Sequence, residues 1–244
     1  MILRSSYFML RRMLRGYLGV VMLTVLPLVL ITVLGMIAGN AIDEKSGIPM
    51  MDGIAITMVL ATQLFGGNYT MEYVRNDFLS SNKWRMASLP YNSHTHAFAI
   101  VLTSSLFTAL QGFVTVLFTQ WVYGVNWGNI GLVLLVIMGI STLSHLVYVV
   151  LVLGVKNYKT AEGAGTWFGM ISIVLAGVWF PMPQTGVIGL ISTYVSPLSL
   201  GQNAVYAIIT GEDLSKGILS VGILVGASLV MGTIAVYLGR RKLA

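Results

Sequence analysis

Cysteine is absent from the 244 residues, which removes disulfides, thiolate metal sites and cysteine nucleophiles at once. Charge is scarce as well: 9% of the residues are Asp, Glu, Lys or Arg, against about 25% in a soluble domain. A water-soluble globular fold does not fit that composition, and collagen-like, disordered and coiled-coil chains would need patterns that are missing. No Gly-Lys dipeptide occurs, so the chain carries no P-loop for nucleotide phosphates. H-E-x-x-H, G-x-S-x-G and G-x-G-x-x-G are also missing. His94, His96 and His145 lack the nearby carboxylates that a metal site needs. Ser141, Ser144 and His145 come nearest to a hydrolytic set, but neighbours at these offsets on one helix do not face each other as a triad does. A membrane enzyme is therefore disfavoured. So is an ion-coupled carrier, because no apolar stretch long enough to span contains an Asp.

What is present is apolar. Hydrophobic residues make up 56% of the chain and its mean hydropathy is +0.84, the composition of an all-α integral membrane protein. A pI near 9.6 then marks the cytoplasmic face and not a nucleic-acid partner. Charge-free stretches place six spans at about 17–39, 53–71, 97–122, 130–154, 164–183 and 217–239 of a single domain, 1–244. The segment Tyr123 to Asn129, rich in turn formers, divides the third span from the fourth. With both termini cytoplasmic, 12 of the 14 basic residues but only three of the eight acidic ones lie inside. A seventh span would export Arg240, Arg241 and Lys242, so six is the favoured count.

Between the fifth and sixth spans, Pro181, Pro183 and Pro197 divide 184–210 into two pieces of about 13 residues. Each reaches about 20 Å as a helix, short of the roughly 30 Å hydrocarbon core. A re-entrant hairpin dipping in from the outer side fits, and its prolines are candidates for an outer gate. Residues 1–16 form a different element. Leu3, Tyr7, Leu10 and Leu14 share one arc of a helical wheel, with Arg4, Arg11, Arg12 and Arg15 adjoining. That pattern describes an amphipathic helix lying on membrane lipid at the inner surface. A cleavable leader ending near Gly39 and Ala41 is disfavoured, because the apolar run is too long for its h-region.

The loop from Glu72 to Asn92 mixes charge with Phe78, Trp84, Leu89 and Pro90, more than a solvated connector needs. A short helix there could bury aromatic anchors in a groove on a soluble partner. An inner-leaflet segment with Trp84 at the headgroups explains the same residues equally well. Within the spans, Gln63, Asn68 and His145 are the best candidates for a polar pathway lining, although hydrogen bonding between helices is the commoner role of such residues. Asn68-Tyr69-Thr70 matches a glycosylation sequon by chance, since it lies near the inner face. Gly35/Gly39, Gly165/Gly169 and Gly222/Gly226 permit close helix contact without naming an interface.

Three features in order resemble the permeases of type-2 ABC exporters: the basic amphipathic helix; the loop from Glu72-Tyr73-Val74-Arg75 to Leu89-Pro90; and the run Gly177 to Pro183 followed by Ser196-Pro197-Leu198-Ser199 and Thr210-Gly211-Glu212. The family's common Gly-Thr-Leu-Glu run is replaced by Asp77-Phe78-Leu79-Ser80. The resemblance implies a permease subunit in the plasma membrane of a bacterial cell, without a nucleotide site or cofactor of its own. Two separate ATPase subunits would bind ATP and Mg, and a second permease chain, identical or similar, would complete the pathway. Arg75, Asp77, Lys83, Trp84, Arg85, Leu89 and Pro90 are the expected contacts that couple it to the ATPase. The expected substrate is a drug, an antimicrobial peptide or a lipid-like compound. A non-transporting immunity or scaffold protein is the alternative.

Overall fold

The computed structural model describes residues 2–39, 41–42, 47–80, 93–180, 182–183 and 185–243. Nine α-helices and one π-turn follow in order among them: α1 (Ile2–Arg15), α2 (Tyr17–Ala38), α3 (Met50–Val74) running into the π-turn Arg75–Leu79, α4 (Ser93–Tyr123), α5 (Ile130–Gly154), α6 (Tyr158–Leu175), α7 (Gly186–Tyr194), α8 (Pro197–Thr210) and α9 (Leu214–Leu243). Five segments are long and apolar enough to cross a membrane: Gly19–Ala38, Met50–Leu79, Thr95–Tyr123, Ile130–Gly154 and Leu214–Lys242.

The helix ends follow local chemistry. Asn129 caps α5 by accepting from the Leu132 amide at 3.2 Å, and Asn157 caps α6 through the Lys159 amide at 3.0 Å. Ser196 accepts from the Ser199 amide ahead of Pro197 at the first position of α8. Gly211 closes the same helix in the left-handed region, at φ 71°.

Helix α3 lies at the centre and touches α2, α4, α5, α6 and α8. Its neighbours α4 and α5 close the core around Leu60, Leu64, Ile137 and Ile140. At the α1 end a second core gathers Met9, Met13, Tyr73, Ile100 and Tyr148. By contrast, α2 and α9 leave most of their apolar surface uncovered, as membrane helices facing lipid or another chain do.

Two boundaries differ from the sequence expectation. The helix expected over 164–183 occupies Tyr158–Leu175, starting at the Asn157 cap and stopping before Gly177, which adopts φ 73°. Its 18 residues reach about 27 Å. The segment 184–210 does divide at Pro197, but into helices of 9 and 14 residues.

The small-residue pairs separate as well. An added Cβ on Gly165 would meet the Tyr148 ring, and one on Gly169 would meet Phe65. These two glycines therefore seat aromatic rings from α5 and α3 against α6. Gly35 lies against Met51, whereas Gly222 and Gly226 face open space.

Candidate functional site

Beyond Val74 the π-turn widens the helix and shifts the register of the residues that follow. Asp77 thereby points between α1 and α4 and is buried. Arg12 Nη1 donates to its Oδ1 at 2.9 Å, and His96 Nε2 lies 3.1 Å from its Oδ2. A carboxylate only accepts, so the imidazole proton sits on Nε2. In the neutral ring Nδ1 then accepts from the Ser5 hydroxyl at 2.9 Å.

Aromatic rings enclose this set. The Arg12 guanidinium lies 4.6 Å over the Tyr73 ring, and the Phe78 and His96 rings are 5.7 Å apart. Beside them Arg75 stacks 3.9 Å over Tyr158. Burial pushes the Tyr158 phenol above its ordinary value, Glu162 adds to the rise and Arg75 opposes it. The ring remains a neutral π-surface for the cation.

One carboxylate thus joins three elements: α1, the end of α3 and the beginning of α4. Asp77 and His96 stand at the two stems of the connection between α3 and α4, and Arg12 and Ser5 strap α1 to both. Charge-assisted bonds of this kind contribute about 1.5–3 kcal/mol each when buried. Arg12 is 44% exposed along its side chain, so its share is nearer 1 kcal/mol. Packing adds to the strap, since Met9 and Met13 are buried against the α1-end core.

The sequence-derived coupling residues divide. Arg75 is exposed and stacked, while Asp77 is buried and engaged inside the protein. Lys83, Trp84, Arg85, Leu89 and Pro90 lie outside the described residues. On α1, Arg4, Arg11 and Arg15 stay exposed, as do Leu3, Tyr7, Leu10 and Leu14. Of the four arginines, Arg12 is the one that pairs with a side chain among the described residues. Ser5 and His96 were not expected at the site. A signal existed for α1: Met9, Met13 and Ser5 form an arc of their own, with Arg12 at its edge about 60° from the nearest other arginine. Nothing in the spacing of Asp77 and His96, 19 residues apart across a loop, announces their contact.

The expected pathway residues also separate. His145 is wholly buried. Its Nδ1 lies 2.7 Å from Thr70 Oγ1 and its Nε2 2.9 Å from Thr108 Oγ1. Thr108 in turn reaches Ser141 Oγ at 2.6 Å, and Ser141 donates to the Ser105 carbonyl at 3.0 Å. This neutral chain ties α3, α4 and α5 together. Gln63 is buried too, against Gly112, where an added Cβ would collide with its amide. Asn68 is exposed.

Asn68 lines a cleft of about 550 Å³ between α2, α3 and residues 173–179. The wall from α2 carries Met22, Leu26, Pro27 and Leu30, and Trp179 closes the far side. Of the gate prolines, Pro183 is exposed, Pro197 is buried at the start of α8, and Pro181 lies outside the described residues. No group of three His, Cys, Asp or Glu that could hold a metal occurs among the described residues.

A sequence model described as ABC-2 type transporter matches residues 5–210. No curated protein and no solved structure matches the chain.

Proposed function

The chain belongs to the ABC-2 type transporter family, and from that premise we propose that it is the permease subunit of an exporter driven by separate ATPase subunits. Two such subunits bind ATP and Mg, and two permease chains, identical or similar, enclose the pathway. In this reading α6 is the fifth of six crossings, both termini are cytoplasmic, and α7 with α8 dips in from the outer face of the plasma membrane. The substrate is hydrophobic or amphipathic and moves outward by alternating access.

The observation that carries the proposal is the Asp77 cluster. An ATPase pushing on residues 80–92 would load both stems of that loop, and Asp77 joins the stems to each other and to α1. The load then reaches α1, α3 and α4 as one body. Chemical energy arrives from outside, in keeping with a chain that has no P-loop. Asp77 acts here by holding the lever, while Arg75, Lys83, Trp84, Arg85, Leu89 and Pro90 are the proposed contacts with the partner.

Purification of the tagged chain from its native membrane in mild detergent, followed by identification of bound proteins and an ATP hydrolysis assay, tests the proposal. A stoichiometric P-loop ATPase is expected, and Trp84→Ala combined with Arg85→Ala should release it. A preparation without ATPase or activity, under conditions that preserve a known ABC complex, would contradict the exporter reading and favour an immunity or scaffold role.

A further inference from the structure

We infer that the cleft between α2, α3 and residues 173–179 takes a cationic amphiphile, with its apolar part along α2 and its positive group at Glu72. The inference rests on the exporter reading only in making the occupant a transported substrate; occupancy of the cleft itself does not depend on that reading.

Size and shape come first. A volume of about 550 Å³ falls within the range of small-molecule sites. Along α3 the lining runs from Thr57 to Glu72, about 22 Å of helix, which is an elongated site. Met22, Met58, Phe65 and Trp179 offer thioether and aromatic surface that adapts to varied apolar shapes.

Three of the polar lining residues are already engaged within the protein, while the buried Tyr69 hydroxyl makes no hydrogen bond to a described residue. Thr57 accepts from Gln202 at 2.8 Å, Thr62 donates to the Val59 carbonyl at 2.7 Å, and Asn68 donates to the Phe65 carbonyl at 3.1 Å. A sugar, phosphate or carboxylate entering the cleft would lose its water against a single free hydroxyl, that of Tyr69, too few partners for several polar atoms. A cation meets a different situation. Among the described residues Glu72 is the one formally charged residue of the lining, and it makes no ion pair there. The nearby Arg75 is directed onto Tyr158. An apolar trough with an uncompensated carboxylate at one end selects a positive charge attached to an apolar body.

The absence of cysteine permits a direct test. Leu26→Cys places one thiol in the cleft, and its maleimide labelling is followed in the purified protein in phosphatidylcholine nanodiscs. Dodecyltrimethylammonium, dodecanol and dodecyl sulfate serve as cationic, neutral and anionic probes of equal chain length. The cation should protect the thiol at a concentration about five- to tenfold lower than either other probe, the weight of one partly exposed ion pair. Glu72→Gln should remove that preference and Glu72→Asp should retain it.

Equal protection by all three probes, or protection led by the sulfate, would overturn the inference. So would a thiol unreactive before any probe is added, which means phospholipid fills the cleft, and so would crosslinking of the thiol to a second copy. ATP hydrolysis by the complex with its ATPase is measured separately. Cation-selective protection without stimulated hydrolysis would uphold the cleft and count against the exporter reading, so the two failures are distinguishable.

Discussion

Two histidines organise polar clusters in this protein, and they differ in every respect that matters for motion. His96 lies at the edge of the bundle, bonded to the Asp77 carboxylate and through Ser5 to α1. His145 lies in its centre, neutral among Thr70 and Thr108 and wholly buried. The first cluster joins a surface helix to the two stems of a loop, beside the packing of Met9 and Met13. The second joins α3, α4 and α5, which are already packed over most of their length. In the proposed exporter the charged joint carries load, whereas the neutral hydroxyls in the core fix geometry. The comparison predicts that mutations in the two clusters fail in different ways.

The largest effect is expected at the joint. Asp77→Ala removes the acceptor shared by Arg12 and His96 and so unties the two stems from each other, leaving α1 held by Ser5 on His96 and by the packing of Met9 and Met13. Transport per ATP hydrolysed should fall about ten- to hundredfold, as for the loss of a coupling free energy of about 1–3 kcal/mol. Thermal stability in detergent should fall as well, by about 1–3 kcal/mol for the lost charge-assisted bonds. The core variant should lose stability alone. His145→Leu leaves Thr70 and Thr108 short of a partner and should cost about 1–3 kcal/mol of stability, with the transport-to-hydrolysis ratio of the remaining folded protein unchanged. Equal changes in both readouts for both variants would erase the distinction.

Gly165→Ala sharpens the same contrast through packing alone. Its added methyl would meet the Tyr148 ring, whose hydroxyl donates to the Gly165 carbonyl at 2.9 Å. Overpacking of about 1–3 kcal/mol is expected, read as a lowered unfolding midpoint, whereas Gly222→Ala, facing open space, should be silent. The smallest effect belongs to Arg12→Lys. A lysine keeps the charge near Asp77 but loses the planar stack on Tyr73. Less than about 1 kcal/mol is expected, visible as faster amide exchange in α1 without loss of the bundle.

Much of this architecture was legible from residue chemistry. Charge-free runs located the five segments long and apolar enough to cross a membrane, the Tyr123–Asn129 turn divided two of them, and Pro197 marked the start of α8. Each of those signals is local. The boundaries of α6 were harder, because Asn157 extends the helix into a polar stretch that hydropathy excludes, and Gly177 ends it inside an apolar one. The site was half legible. The amphipathic helix could be read from its wheel, and the loop from its mixture of charge and aromatics. The joint between them could not, since Asp77 reaches His96 only because the chain reverses between α3 and α4. His145 shows the opposite hazard: a polar residue in a span suggests a pathway, and here both ring nitrogens lie against hydroxyls of the bundle, Thr70 and Thr108.

The central claim is that Asp77 couples the loop to the membrane helices. Its most direct test compares wild-type protein with Asp77→Asn in proteoliposomes containing the ATPase subunits, measuring substrate movement and ATP hydrolysis together. The account predicts that hydrolysis persists while transport per ATP collapses. Transport per ATP equal to that of the wild type, in a complex of unchanged composition, would contradict it.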